Sequence, residues 1–284
     1  MTDKRKRVVV TGASRGIGRV TALHLARAGC DVTVVARDRG RGQRVVDELR
    51  AAGGGGGEPD LFIADLSSLK DVARVAGEIA AAHPAIDVLV NNAGAYYSQR
   101  SVSADGYERT FATNHLAPFV LTNRLRGALE KAERARVVVV ASRAHRRAHM
   151  TWDDLMHERS YPGFVVYSES KLANILFTRE LARRLDGTRV TANCLHPGFV
   201  ASNFGHDNPG LTRLGMRLAM LFAISEEKGA ETSIYLASSP DVEGVTGKYF
   251  DGCKEATPTA EARNDEDARR LWDVSEQLVA RAGV

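Results

Sequence analysis

Short runs rich in valine and isoleucine alternate along the chain with longer stretches whose apolar positions recur every three or four residues. The short runs predict β-strands at 7–11, 31–36, 60–64, 86–91, 135–141, 189–195 and 246–250. They show little alternation of apolar and polar positions, as expected of strands buried on both faces of a sheet. The stretches between them predict helices at 17–28, 41–51, 68–82, 105–130, 167–186 and 226–238. Strand and helix in strict succession are the signature of a parallel sheet covered by helices on both sides. Five glycines, Gly53 to Gly57, read as a flexible turn closing the second helix, with Pro59 ahead of the third strand. No internal repeat or linker divides the pattern, so residues 1–284 read as one doubly wound α/β domain of about seven strands.

Residues 201–224 interrupt the rhythm. Asn208-Pro209-Gly210 signals a turn, after which Leu211, Leu214, Leu218, Leu221 and Phe222 recur at helical spacing. Ligands of such folds sit beyond the carboxyl ends of the strands, so an insertion after the sixth strand is well placed as a lid. A packing helix and a helix lying on a membrane surface fit the same pattern.

Composition narrows the function classes. Of 284 residues, 44% are hydrophobic and 26% charged, ordinary for a globular protein. The net charge is +4, and the one dense basic run, Lys4-Arg5-Lys6-Arg7, is too short and isolated to argue for nucleic acid. Cys30, Cys194 and Cys253 are few and scattered, which suits a reducing compartment rather than a disulfide framework. The N-terminus runs from charged residues straight into Val8-Val9-Val10 without a signal-peptide core. No apolar run is long enough to span a bilayer, so a cytoplasmic protein with no integral membrane segment is expected.

Two motifs carry chemistry. Thr11-Gly12-Ala13-Ser14-Arg15-Gly16-Ile17-Gly18 follows the first strand and opens the first helix. Glycines let the backbone turn tightly and approach a pyrophosphate, and a helix N-terminus offers free N–H groups and a positive dipole end. Far downstream, Tyr167 and Lys171 lie four residues apart, one turn along a single helix face. A positive charge close to a phenol favours the phenolate and lowers its pKa from roughly 10. Ser142 ends the fifth strand, at the carboxyl edge of the sheet. His145 and His149 are also four apart, but among Arg143, Arg146 and Arg147 and without a nearby carboxylate or cysteine; no metal is expected there.

The Gly-x3-Gly-x-Gly spacing and Tyr-x3-Lys together resemble the short-chain dehydrogenase/reductase family, with its Rossmann-like fold. The resemblance continues at Asp65-Leu66, at Asn91-Asn92-Ala93-Gly94 and at Pro197-Gly198. It implies a dinucleotide held by Gly12, Ser14, Arg15, Gly16, Ile17 and Gly18, with Asp65 and Leu66 at the adenine. Asn91, Ala93 and Gly94 would border the adenosine side. Pro197, Gly198, Val200 and Ser202 would meet the nicotinamide, Ser202 standing where threonine is usual. Members that use NAD carry an acid where this chain has Ala36, while Arg37 and Arg15 can both reach a 2′-phosphate, so NADP(H) is the implied cofactor. Asp38 is read as pairing with a neighbouring arginine.

By the same resemblance, Asn114, Ser142, Tyr167 and Lys171 form a catalytic tetrad. Asn114 would hold a relay water, Ser142 would hydrogen-bond the substrate oxygen, and Tyr167 would act as general acid. Lys171 would lower the tyrosine pKa and hold the nicotinamide ribose. The family also implies a homodimer or homotetramer.

The stretch from Tyr167 to Leu185, Leu195-His196-Pro197-Gly198, Gly247-Lys248-Tyr249-Phe250, and the tail segments 261–264 and 268–275 resemble the retinol dehydrogenase-like branch. The interval from Ser142 to Tyr167 is longer than in most family members. Membrane-bound members of the branch carry an N-terminal apolar anchor, and none is expected here. The expected activity is hydride transfer between NADP(H) and a small-molecule carbonyl or alcohol, as a carbonyl reductase on a bulky apolar substrate. The alternatives are a retinol/retinal-type dehydrogenase held peripherally on a membrane and a catalytically silent NADP(H)-sensing protein.

Overall fold

The computed structural model describes residues 5–52, 59–198 and 224–284. The expected lid at 201–224, except its last residue, the turn at Gly53 to Gly57, and the site candidates Val200 and Ser202 lie outside the described residues.

Eight strands form one sheet: β1 (Arg7–Thr11), β2 (Asp31–Ala36), β3 (Asp60–Ile63), β4 (Val88–Asn91), β5 (Ala135–Val140), β6 (Val190–His196), β7 (Tyr249–Asp251) and β8 (Lys254–Ala256). Their order is β3-β2-β1-β4-β5-β6-β7-β8. All neighbours are parallel except β7 and β8, a hairpin at the edge. The eighth strand was not expected; its short, polar Lys254-Glu255-Ala256 has no apolar run to betray it.

The period of two along each strand sorts side chains between two cores. Val8 and Val10 of β1, with Val138 and Val140 of β5, face one layer; Val9, Val137 and Val139 face the other. Helices α1 (Gly16–Arg27) and α2 (Arg39–Ala52) cover the first face with α7 (Glu226–Ser238). The second is covered by α3 (Leu69–Ala82), α5 (Ala117–Glu130) and α6 (Gly163–Arg184), with α8 (Asp265–Arg281) packed on the back of α6. None of the described helices is long and apolar enough to cross a membrane.

Two helices depart from expectation. The single helix expected over 105–130 is instead a short α4 (Arg109–Phe111), a π-turn (Ala112–Leu116) and then α5. Pro118 has no N–H to offer the carbonyl of Asn114, and the chain takes the wider turn there. Helix α8 was not expected as an element. Its buried Ala268, Leu271, Trp272, Ser275 and Leu278 keep helical spacing, and Asn264 caps it by accepting from the N–H groups of Glu266 and Asp267.

Candidate active site

The strand order reverses between β1 and β4, and the loops at that carboxyl edge open a cleft of about 800 Å³. At one end stands the turn from β1 to α1. Gly12 (φ 65°) and Gly16 (φ 60°) occupy left-handed backbone that side-chain-bearing residues rarely adopt. A Cβ on Gly12 would lie 2.9 Å from the Ala93 Cα, and one on Gly18 would lie 2.4 Å from Asn92 Nδ2. The Arg15 side chain makes no cap for α1, whose first residues Gly16, Ile17 and Gly18 line the cleft. Ser14, Arg15, Ile17, Arg37, Asp65 and Leu66 line this end.

Hydrogen bonds lock the turn to the neighbouring strand. Thr11 Oγ1 accepts from the N–H groups of Asn92 and Ala93, both at 3.0 Å, and Asn92 Nδ2 donates to the Thr11 carbonyl at 2.8 Å. The stretch expected at the cofactor, Asn91 to Gly94, divides in the structure. Asn91 is buried on the far side, donating to Thr122 Oγ1 at 2.9 Å, while Asn92, Ala93 and Gly94 line the cleft. β4 ends at Asn91, and Asn92 is the first residue of the loop that turns into the cleft. Asp65 lines the cleft, but its Oδ1 also accepts from the N–H and Oγ of Ser67 at 3.0 and 2.9 Å. Asp38 pairs with an arginine as read from the sequence: Oδ1 accepts from the Arg41 N–H at 2.7 Å and faces its guanidinium at 3.6 Å.

At the other end, Ser142 sits just beyond β5 and caps the 3₁₀ turn Arg143–Arg147, its Oγ accepting from the Ala144 N–H at 3.1 Å. Tyr167 and Lys171 face the cleft from α6, which begins at Gly163, four residues earlier than expected. Lys171 Nζ lies 5.7 Å from the Tyr167 ring centre and donates to the Val140 carbonyl at 2.9 Å. Gly94 allows this approach, since a Cβ there would stand 3.2 Å from that Nζ. Two rings flank the phenol, Tyr96 at 6.0 Å and Phe164 at 6.4 Å. Pro197 and Gly198 complete the wall beyond β6.

The electrostatics run against one expectation. Desolvation pushes Tyr167 up to about 12, opposed by a hydrogen bond with Ser142. Burial itself lowers Lys171 to about 8. The tyrosine therefore carries its proton at neutral pH, the form a proton donor needs.

Asn114 does not line the cleft. From the π-turn it clamps the loop after β4, its Oδ1 accepting from the Ala95 N–H at 2.7 Å and its Nδ2 donating to the Ala95 carbonyl and Ser170 Oγ, both at 2.9 Å. Both amide hydrogens are thus engaged by protein groups. The two histidines four residues apart diverge. His145 is fully buried, with Nδ1 at 2.6 Å from the Ser142 carbonyl, while His149 is exposed near Glu261. Sequence reasoning also passed over Asp38, Arg41, Phe164, Arg146 and His196 as cleft-lining residues. Of these, His196 had a signal, since it directly precedes Pro197-Gly198.

A family model for short chain dehydrogenases matches residues 6–209. The chain is 45% identical to retinol dehydrogenase 14 of Mus musculus, over 96% of its own length and 86% of that protein's. Among solved structures, an uncharacterised protein from Mycobacterium paratuberculosis superposes with a TM-score of 0.78 at 32% identity, covering 97% of this chain and 93% of that one. A structure from Escherichia coli CFT073, described as a short chain dehydrogenase complexed with NADPH, shares the fold with a TM-score of 0.66 at 24% identity, covering 88% and 97%. The cradle of glycines, the Ser142–Tyr167–Lys171 cluster and these likenesses agree: the chain belongs to the short-chain dehydrogenase/reductase family, in its retinol dehydrogenase-like branch.

Proposed function

We propose that this protein is an NADP(H)-dependent alcohol dehydrogenase/carbonyl reductase acting on a ketone or aldehyde with a bulky apolar body. The observation that carries the reading is one continuous cleft joining the glycine turn and Arg37 to Ser142, Tyr167 and Lys171. Its first end fits a dinucleotide. A Cβ would fill the cradle at Gly12 and Gly18, the α1 N–H groups are uncapped, and Arg15 and Arg37 offer charge to a 2′-phosphate with no carboxylate at Ala36. Bound there, the nicotinamide supplies or takes up a hydride.

The chain's own residues handle the substrate oxygen. As negative charge grows on it during reduction, Ser142 and Tyr167 donate hydrogen bonds, and Tyr167 gives up its proton as general acid. Lys171 holds the cleft wall at Val140 and places a positive charge beneath the phenol, easing the loss of that proton. Asn114 keeps the Ala95 loop, and with it Gly94, in place. Tyr96, Phe164 and Tyr97 give the substrate end an aromatic character suited to an apolar body. Retinal is one member of that substrate class, favoured by the name of the mouse relative. Three free cysteines fit a reducing compartment, and we place the protein in the cytoplasm.

The test is a panel of aldehydes and ketones, retinal included, with NADPH consumption followed by nicotinamide absorbance. Turnover is expected for bulky apolar members, and Tyr167→Phe should lower it by about 10² to 10⁴ while leaving NADPH binding intact. Tight NADPH binding with no turnover across the panel would instead mark a silent sensor.

A further inference from the structure

The peptide unit joining Ser142 to Arg143 is held at both of its polar atoms by imidazoles. Its carbonyl oxygen lies 2.6 Å from His145 Nδ1, and its N–H lies 3.1 Å from His196 Nδ1. A carbonyl only accepts and an amide N–H only donates, so the two rings must be opposite tautomers. His145 carries its hydrogen on Nδ1; His196 leaves Nδ1 bare. Both rings are anchored on the edge of the sheet at β6 and β7. His196 is the last residue of β6 and pairs in register with Asp251 of β7. His145 is fully buried and packs edge-on against Tyr249 of β7 at 5.1 Å. The Arg143 side chain is drawn away from the peptide by Asp251, with Nε and Nη2 each 2.7 Å from Oδ2.

This peptide is the pivot of the serine. Ser142 Oγ accepts from the Ala144 N–H, one peptide further on, and the same hydroxyl hydrogen-bonds with Tyr167 in the cleft. Rotation of the Ser142–Arg143 peptide would break that cap and turn the hydroxyl away. We propose that His145 and His196 are positioning residues, a pair of neutral imidazoles that clamp the Ser142–Arg143 peptide and so aim the Ser142 hydroxyl at the substrate oxygen. The proposal rests on the reductase reading above.

The surroundings keep both rings neutral. Burial lowers His145, whose buried Nε2 has no hydrogen-bond partner and would become an unsatisfied donor on protonation. Burial brings His196 down to about 4. Asp251 favours its charged form, while Arg143, His145 and Arg146 oppose it. Protonation would set an Nδ1–H against the Arg143 N–H and open the clamp.

The experiment compares His196→Leu and His196→Asn with wild type and Ser142→Ala, measuring kcat, KM, NADPH affinity and far-UV circular dichroism at each pH. An asparagine Oδ1 can stand near the place of Nδ1 and accept the same N–H without titrating. His196→Leu should lower kcat by about 10 to 10², the scale of a small misplacement of a reacting group, with NADPH affinity unchanged. His196→Asn should recover most of that loss. Wild-type kcat should fall as the pH approaches about 4 with the fold intact, and His196→Asn should lack that fall. Unchanged kcat in His196→Leu, no rescue by asparagine, or the same acid fall in His196→Asn would each overturn the clamp. Full activity in Ser142→Ala would overturn the reductase reading itself, and the clamp with it.

Discussion

At position 36 a single methyl group stands where a carboxylate would repel a 2′-phosphate, and the next residue, Arg37, lines the cleft. Asp38, the nearest acid, is turned back onto the N–H and guanidinium of Arg41 and caps the start of α2. Arg37→Ala should therefore raise the NADPH dissociation constant well above tenfold, the loss of a charge-assisted contact, and leave NADH nearly unaffected. Titration by fluorescence would check it, and equal losses for both nucleotides would refute the assignment. Much at this scale was legible in the sequence, because glycine turns and Tyr-x3-Lys are set by local geometry. What was not legible depended on register or on surroundings. Asn91 ends β4 and turns to Thr122 while Asn92 begins the loop and turns to Thr11, and the raised pKa of Tyr167 comes from burial that no spacing reports.

Among the elements, α6 does more than carry Tyr167 and Lys171. Between them Glu169 is buried, receiving Thr151 Oγ1 at 2.8 Å and His157 Nε2 at 3.1 Å. The long connection between Ser142 and Tyr167 is thus pinned to the helix it leads into, with His157 held at a left-handed φ of 47°. The hydrogen bond with Glu169 raises His157 above its ordinary value. A folded pKa above the unfolded one means stability that is fully present below roughly pH 6.5 and is lost as the pH climbs through the folded value. Melting temperature measured from about pH 6 to pH 9 should fall for the wild type relative to Glu169→Gln. Parallel curves would show that the pair contributes nothing through titration. The unusual length of this connection was visible in the sequence. Its pin was not, since His157 and Glu169 meet only after the loop folds back.

In the whole molecule, the parallel sheet was readable from its valine runs, whereas the final helix was present only as a stretch of matching motif. Its apolar spacing could have been recognised: α8 lays Trp272 against Phe119 at 4.8 Å and Phe177 at 5.8 Å, under the Arg184 guanidinium at 4.4 Å. Phe177 belongs to the helix that carries Tyr167 and Lys171, so α8 braces α6 from behind. Trp272→Ala should cost about 3 to 5 kcal/mol, read from denaturant unfolding, as expected for a large buried aromatic removed from a packed cluster. A loss under about 1 kcal/mol would mean that the cluster is not a brace.

The reversal of strand order between β1 and β4 bears on how the protein reaches this state. The cleft is built where the loops after β1 to β6 meet, so no local segment can form it alone. Such distant parallel pairings form slowly, because their loop-closure entropy is lost before their contacts accumulate. A molecule that fills the cleft binds only the finished chain, and mass action then draws the folding equilibrium toward it. The ligand acts, in effect, as the last piece of the fold, and the stability of the assembled chain should rise with its concentration.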